Sequence, residues 1–515
     1  MMKARKGILG AAALAAGLFL LSPVGPEPVA RASTAYYVST TGSDSNSGTS
    51  AASAWKTLQH AADTAVAGDT VYVLGGTYNQ KLKISTSGSA AGGYITFQNY
   101  EGQTAILDGT GLSVSEGEGL VEIDNSSYVI VKGFEIRNYK TATRDRVPIG
   151  IYVYGSGNHI QLLNNHIHDI KNTATVRSDL SGRDAHGIAV YGTETTPISD
   201  LTIDGNTLTN LVLGSSESLV VNGNVNGFSI TNNVVHDNDN IGIDAIGFEE
   251  TAPSGYDQAR NGTISGNTVY NITSVNNPSY GKTLPNGNYA ADGIYVDGGK
   301  DIVIEKNYSY NNDIGIELAS EHAGKATSNI TVRNNMVYNN RYTGVAIGGY
   351  DTDRGSTSNS RIVNNTLYKN DTVGLDGGQL LVQYDTLNNT IKNNIMVASS
   401  SNILIYNGYA KNSGNVVDYN LYAAPGGATG AKWKWKNTSY TGFSAYKTGT
   451  GNDSHSVFAD PLFANAAGSN FHLTSASPAI DAGYTEPSSV IGSFDIDGEA
   501  RVLGTSVDIG ADEAN

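Results

Sequence analysis

The chain contains no cysteine among its 515 residues, which excludes a disulfide-stapled scaffold and leaves a large core as the source of stability. Basic residues are also scarce: 32 Lys and Arg stand against 48 Asp and Glu, giving a net charge of −16. Nucleic acid is therefore not expected as a partner, because phosphate recognition needs clustered Lys and Arg. Beyond the first 21 residues no apolar run is long enough to cross a bilayer. Strong helix formers are sparse, whereas Gly, Asn, Thr, Ser, Val, Ile and Tyr abound. That composition predicts many short strands joined by many tight turns.

The N-terminus reads Met1-Met-Lys-Ala-Arg-Lys6, then an apolar run from Gly7 to Leu21, then a stretch ending Ala30-Arg31-Ala32. A basic start, a short apolar run and small residues before Ser33 predict a secretory signal peptide over residues 1–32, and hence an extracellular protein with no membrane attachment after cleavage.

A length near 500 residues suggests several domains until internal repeats are sought. Short strands ending in Asn recur at Leu162-Leu-Asn-Asn165, Ile203-Asp-Gly-Asn206, Ile230-Thr-Asn-Asn233 and Ile264-Ser-Gly-Asn267. They continue at Ile304-Glu-Lys-Asn307, Val332-Arg-Asn-Asn335, Val363-Asn-Asn365 and Ile391-Lys-Asn-Asn394, with spacings of 28, 30 and 29 residues from Asn307 onward. A second strand follows the pattern Gly-apolar-x-apolar-x: Gly150 to Tyr154, Gly187 to Tyr191, Gly242 to Ile246, Gly293 to Asp297, Gly315 to Ala319 and Gly344 to Gly348. Period-2 alternation turns Ile and Val inward and the intervening residues outward. Strands recurring once per coil stack as parallel ladders, with the Asn residues lining a turn where αL backbone and side-chain hydrogen bonds are favoured. The expected fold is all-β, a right-handed parallel β-helix with N- and C-terminal capping segments.

The ends depart from the repeat, as solenoid caps do. Tyr36-Tyr-Val-Ser39, Trp55-Lys-Thr-Leu-Gln59 and Gly75-Gly-Thr-Tyr78 begin the chain; Asp460-Pro-Leu-Phe463, Ser477-Pro-Ala-Ile-Asp-Ala-Gly483 and Asp508-Ile-Gly-Ala-Asp512 end it. Both segments resemble those of bacterial extracellular β-helix proteins of the pectate-lyase-like superfamily. The resulting division is an N-terminal cap and first coils over 33–120, a central β-helix with a groove over 121–400, and C-terminal coils and cap over 401–515. The resemblance implies a carbohydrate-active protein acting on a poly- or oligosaccharide, and a monomer is expected.

Aligning the second strands on their Gly places Tyr152, Ala189, Asp244, Tyr295, Glu317 and Ala346 in one outward column. The next column holds Tyr154, Tyr191, Ile246, Asp297, Ala319 and Gly348. A single outward carboxylate on a strand is ordinarily a solvated surface group. Three on one face across consecutive coils, Asp244, Asp297 and Glu317, cost stability through like-charge repulsion, and such clusters suit catalysis because repulsion perturbs their protonation. At strand spacings of about 4.8 Å and roughly 6.6 Å between alternate residues, Asp297 and Glu317 stand roughly 8 Å apart at Cβ. That span is compatible with either the retaining or the inverting arrangement of a carboxylate pair across a glycosidic bond.

Gly293-Ile-Tyr-Val-Asp297, followed one coil later by Gly315-Ile-Glu-Leu318, resembles β-helix glycosidases of the β-xylosidase type. The resemblance implies Asp297 as nucleophile and Glu317 as acid/base. Gly298-Gly299 stand where that family has an aromatic residue, and His322 keeps its place after the Glu. Tyr152, Tyr154, Tyr191, Tyr295 and Tyr350 offer aromatic faces to sugar rings. His186, Glu321 and His322 are candidate hydrogen-bonding partners of substrate. No metal site is assigned: His166 and His168 share a strand face but lack a third ligand. No cofactor is required, and calcium stays open as a partner because Asp237-Asn-Asp239 and Asp351-Thr-Asp353 offer it ligands, although they lack the spacing of a recognised calcium loop.

Three function classes remain in play. A glycoside hydrolase fits the aligned carboxylates and an acidic surface. A polysaccharide lyase acting on a uronate polymer needs calcium on Asp244 and Asp297, with Tyr295 or a loop lysine as base. A non-catalytic glycan-binding protein would use the same groove without cutting.

Overall fold

Each repeat turns a corner at an Asn, and the corner explains the coil. In the computed structural model, which describes residues 32–176 and 178–514, Asn165, Asn206, Asn233, Asn267, Asn307, Asn335, Asn365, Asn394 and Asn420 are buried and stacked one per coil. The Asn267 backbone N–H and Nδ2 both donate to Asn307 Oδ1, at 2.9 and 3.0 Å, and the Asn307 groups repeat the pattern on Asn335. Each Nδ2 also donates to a carbonyl of a neighbouring coil, as Asn307 does to Ile264 at 2.9 Å. Buried corner amides are thereby satisfied without water. The residue before each ladder Asn is left-handed: Asn164, Gly205, Asn232, Gly266, Lys306, Asn334, Asn364, Asn393 and Tyr419 all have φ between 52° and 68°. In the Asn-Asn pairs the first residue makes the turn and the second makes the ladder.

The coils generate three sheets of 17, 13 and 13 strands, parallel throughout except for one antiparallel strand at the C-terminal end. Inward Ile and Val stay in register from coil to coil, for example Ile264 with Ile304, Ile304 with Val332, and Val332 with Ile362. This is the expected right-handed parallel β-helix. One apolar core runs along the axis from Val38 to Tyr446. Among the described residues, no helix is long and apolar enough to cross a membrane. The expected signal peptide lies, except for Ala32, outside the described residues.

At the N-terminal end the helix Leu58–Thr64, whose first turn is capped by Thr57, buries Leu58, Ala61 and Ala62. At the other end the antiparallel strands Lys432–Trp435 and Thr438–Thr441 pack with the helix Phe443–Thr450, where Trp433 stacks on Tyr446 at 5.0 Å. The parallel coils finish at Val457–Phe458. The remaining tail runs back along the outside of the solenoid. Asn334 Nδ2 donates to the Ile491 and Phe494 carbonyls, Asn364 Nδ2 to the Asp508 carbonyl, and Asn393 Nδ2 to the Tyr484 carbonyl. The left-handed Asn residues of three successive coils thus double as docking points for the tail.

Candidate active site

The site lies on the sheet built from the Gly-apolar-x-apolar-x strands. Its register pairs Asp244 with Tyr295, Tyr295 with Glu317, and Asp297 with Ala319. The two outward columns therefore run as the alignment expects, with one added coil. Leu219–Gly223 stands between the Gly187 and Gly242 coils and contributes Val220 and Asn222. It begins with Ser218 instead of Gly, so the Gly pattern passes over it.

Asp244, Asp297 and Glu317 do not lie on an open wall. They sit 1%, 3% and 5% exposed in a cleft of about 750 Å³. Loops form its sides: Tyr280, Tyr289 and Ala290 on one flank, with Glu249, Glu321 and Tyr350 on another. Glu217 and Asp292, which the alignment omits, also line the cleft. Each stands one residue before the position, Ser218 or Gly293, at which the aligned pattern begins. A Cβ on Gly293 would lie 2.5 Å from Ser309 Oγ and 2.6 Å from Asn312 Nδ2, atoms of the buried corner, so Gly293 faces inward beside Ile294. The pairing register accordingly carries Asp292 with Ile314 and Ile294 with Ile316 but omits the glycines between them. This local irregularity breaks strict alternation and turns the preceding residue outward. The position before each strand-opening Gly is the signal that finds Asp292.

The hydrogen bonding separates the carboxyls. Gln383 Nε2, beside Gly348, donates to Glu317 Oε1 at 2.6 Å. The second hydrogen bond to Glu317 is a carboxyl–carboxyl one, from Asp292. Burial pushes Glu317 up to about 7 in spite of these two donors. Burial, then the charge of Glu317, lifts Asp292 well above the ordinary carboxylate range, so Asp292 is the proton donor of the pair. Among the described residues, Asp297 accepts only the Glu321 backbone N–H, at 2.8 Å, on Oδ1. Burial and the charge of Glu321 raise it well above its usual value. Asp244 is raised by burial and by Glu217 and Asp297, and its Oδ1 is buried without a hydrogen-bond partner, as is Asp292 Oδ1. Glu317 is therefore the carboxyl whose anion is best supported.

The other expected residues divide into two groups. Tyr191, Tyr295, Glu321 and Tyr350 line the cleft; Tyr152, Tyr154, His186 and His322 do not. Tyr152 packs edge-on to Tyr191 at 5.7 Å over Ala189 and Val220. Tyr154 accepts Lys83 Nζ at 2.7 Å in a separate ion cluster with Asp124. His186 is buried behind the wall, with Nδ1 3.2 Å from the Glu217 carbonyl and Nε2 3.3 Å from the Tyr191 hydroxyl. Burial lowers it to about 4, so it is neutral and positions Glu217 and Tyr191 instead of meeting substrate. His322 lies 3.6 Å from Glu249. Glu249, Asp297 and His322 bring one ligand atom each within 4.8 Å of one another, a set able to hold a cation. Among the described residues, neither Asp237 and Asp239 nor Asp351 and Asp353 belong to such a set.

Residues 36–189 match the family described as Pel9A-like, right handed beta helix region, a segment that ends before Asp244. The chain is 29% identical over 160 residues to pectate lyase PEL9 of Emericella nidulans, covering 30% of this chain and 37% of that one. Its fold is similar to XylC in complex with xylose, with a TM-score of 0.52 and 12% identity over 93% of this chain and 98% of that chain. It is 46% identical over 444 residues to uncharacterized protein YwoF of Bacillus subtilis (strain 168), covering 86% of this chain and 91% of YwoF. The chain thus belongs to the family of YwoF, with the right-handed parallel β-helix fold of the pectate-lyase-like proteins.

Proposed function

We propose that the protein is an extracellular glycoside hydrolase whose reacting pair is Asp297 and Glu317. The observation that carries this reading is the meeting of both carboxyls, from adjacent coils, on the floor of one buried cleft. Their roles follow from their partners. Asp297, kept protonated by burial and the Glu321 charge, gives its proton to the leaving glycosidic oxygen as the C–O bond breaks. Glu317, its anion held by Gln383 and Asp292, supplies the electron pair at the anomeric carbon, directly or by activating water. These roles are the reverse of those the β-xylosidase resemblance implies, because the donors gather on Glu317 and not on Asp297. Water adds across the broken bond, giving one new reducing end per cleavage.

The lyase reading is supported by the cation-holding set at Glu249, Asp297 and His322. It is opposed by the absence of any Lys, Arg or His among the described residues that line the cleft. Burial also raises the Tyr295 phenol well above its usual range, which makes it a poor base.

Product analysis on a panel of neutral, amino and uronic glycans tests the proposal. Hydrolysis gives new reducing ends without ultraviolet absorbance from an unsaturated uronate, and both Asp297→Ala and Glu317→Ala abolish it while the fold survives. Unsaturated products, or near-normal activity in both variants, would overturn it.

A further inference from the structure

The cleft carries eight carboxyls, and no Lys, Arg or His among its described lining residues. Interior carboxyl clusters are ordinarily balanced by a cationic side chain or a metal, since an unpaired buried charge is costly. Here the described lining residues supply no such partner; Arg354 and His322 reach only the carboxyls of the rim, Glu321 and Glu249. Two buried oxygens, Asp244 Oδ1 and Asp292 Oδ1, also lack any hydrogen-bond donor. They come from adjacent strands of the cleft floor.

The acidic groups are spread along the helix axis. Successive coils contribute Asp184, then Glu217, then Asp244, then Asp292 with Asp297, then Glu317. Five coils at a strand spacing of about 4.8 Å extend roughly 19 Å along the axis. A single metal ion does not explain that distribution. Among the described residues, Asp184, Glu217, Asp244, Asp292 and Glu317 belong to no set of three whose ligand atoms lie within 4.8 Å of one another. A linear chain of sugars lying across the strands does match it, because one sugar ring has a length close to one strand spacing.

We propose that the cleft is selective for a glycan bearing free amino groups, a de-N-acetylated hexosamine oligomer, whose ammonium groups provide the cations the cleft lacks. This rests on the hydrolase reading of the same site and names its substrate class. An ammonium group has three N–H donors and no acceptor, so it satisfies the unpartnered oxygens of Asp244 and Asp292 and neutralises charge together. A hydroxyl in the same place would satisfy the oxygens without neutralising them. A uronate would add a further negative charge. The raised Asp244 is consistent with this: the empty cleft keeps a proton there that a bound cation would displace, while Asp292 keeps the proton it shares with Glu317.

The test uses the full chain carrying Glu317→Gln to stop turnover. Calorimetric titration compares a glucosamine hexamer, the same hexamer fully N-acetylated, and an oligogalacturonate, at low and high salt and with or without calcium. The expected result is that the glucosamine hexamer binds at least about tenfold more tightly than its acetylated form, with the advantage shrinking at high salt as charges are screened. Adding Asp244→Asn should reduce the affinity for the glucosamine hexamer by a larger factor than that for the acetylated hexamer, narrowing the ratio between them. Equal or tighter binding of the acetylated hexamer, or calcium-dependent binding of the oligogalacturonate, overturns the proposal. Its failure is separable from that of the hydrolase reading. If wild-type protein releases reducing ends from acetylated or neutral glycans only, the charge selectivity is wrong and the hydrolase stands. If the inactive variant prefers the amino oligomer but wild type cleaves nothing, the selectivity stands and the hydrolase is wrong.

Discussion

Replacing Asp292 by Ala removes the hydrogen bond donor that Glu317 receives from its neighbour on the adjacent coil. A hydrogen bond to a charged group contributes about 1.5–3 kcal/mol, and one pKa unit corresponds to about 1.4 kcal/mol. Losing a donor to the anion disfavours the charged form, so the Glu317 pKa should rise by about 1–2 units. Its starting value is about 7. Because Glu317 reacts as the carboxylate, the acidic limb of kcat/KM against pH should sit near that value in wild type and move to higher pH in Asp292→Ala. Asp292→Asn keeps an N–H donor and should move the limb less. Gln383→Ala, which removes the other donor at 2.6 Å, should move it in the same direction as Asp292→Ala. A damaged site would lower activity at every pH without moving the limb. An unmoved limb in Asp292→Ala, or one displaced to lower pH, would refute the hydrogen-bonding scheme; the second outcome would mean that Asp292 acts as a negative charge.

The role assignment predicts distinct rescues. Asp297→Ala should retain activity on an aryl glycoside with a good leaving group, which needs no proton, whereas Glu317→Ala should respond to added azide and not to the leaving group; the opposite pattern, read from initial rates, restores the roles implied by resemblance. Glu317 also links stability to pH. Its folded pKa is raised from 4.5 to about 7, so its contribution is fully present below pH 4.5 and is lost as pH rises through 7, by up to about 3 kcal/mol. In urea unfolding, Glu317→Gln should therefore gain on wild type between pH 4 and pH 9, and a constant difference across that range would contradict the burial argument. In the corner ladder, Asn307→Ala leaves the buried Asn267 N–H without its acceptor and removes the bonds to Ile264 and Asn335. A loss of about 3 kcal/mol is expected by denaturant titration, and a loss below about 1 kcal/mol would mean that the corner relaxes onto other partners.

The β-helix was readable because two independent periodicities agree. The Asn corners and the Gly-led strands recur once per coil, and no hairpin fold accommodates both. The same alignment placed Asp244, Tyr295, Asp297 and Glu317 in the columns that the register shows. It did not yield Glu217 and Asp292, because alternation counted from the Gly ignores the residue before it, which the inward Gly turns outward. Gln383 escaped because its coil, Leu380–Val382, does not begin with the Gly pattern. His186 looked like a substrate ligand from its place in the chain; it takes the same outward position before Gly187, yet Glu217 and Tyr191 cover it, contacts that the alternation does not reveal. Burial of the carboxyls was likewise illegible: the loops that cover them carry no periodicity.

The docked tail has a consequence for how this solenoid can change. Repeat proteins ordinarily grow or shrink by whole coils, since each coil contacts only its neighbours. Here the tail is pinned first to Asn393, then to Asn334, and on its return to Asn364, three rungs one coil apart. Inserting or deleting a coil between those rungs would carry at least one pin out of reach, so the tail acts as a gauge of coil number on the C-terminal side of the cleft. Duplication is freer on the other side, before Asn334, where the tail is not attached by these amides.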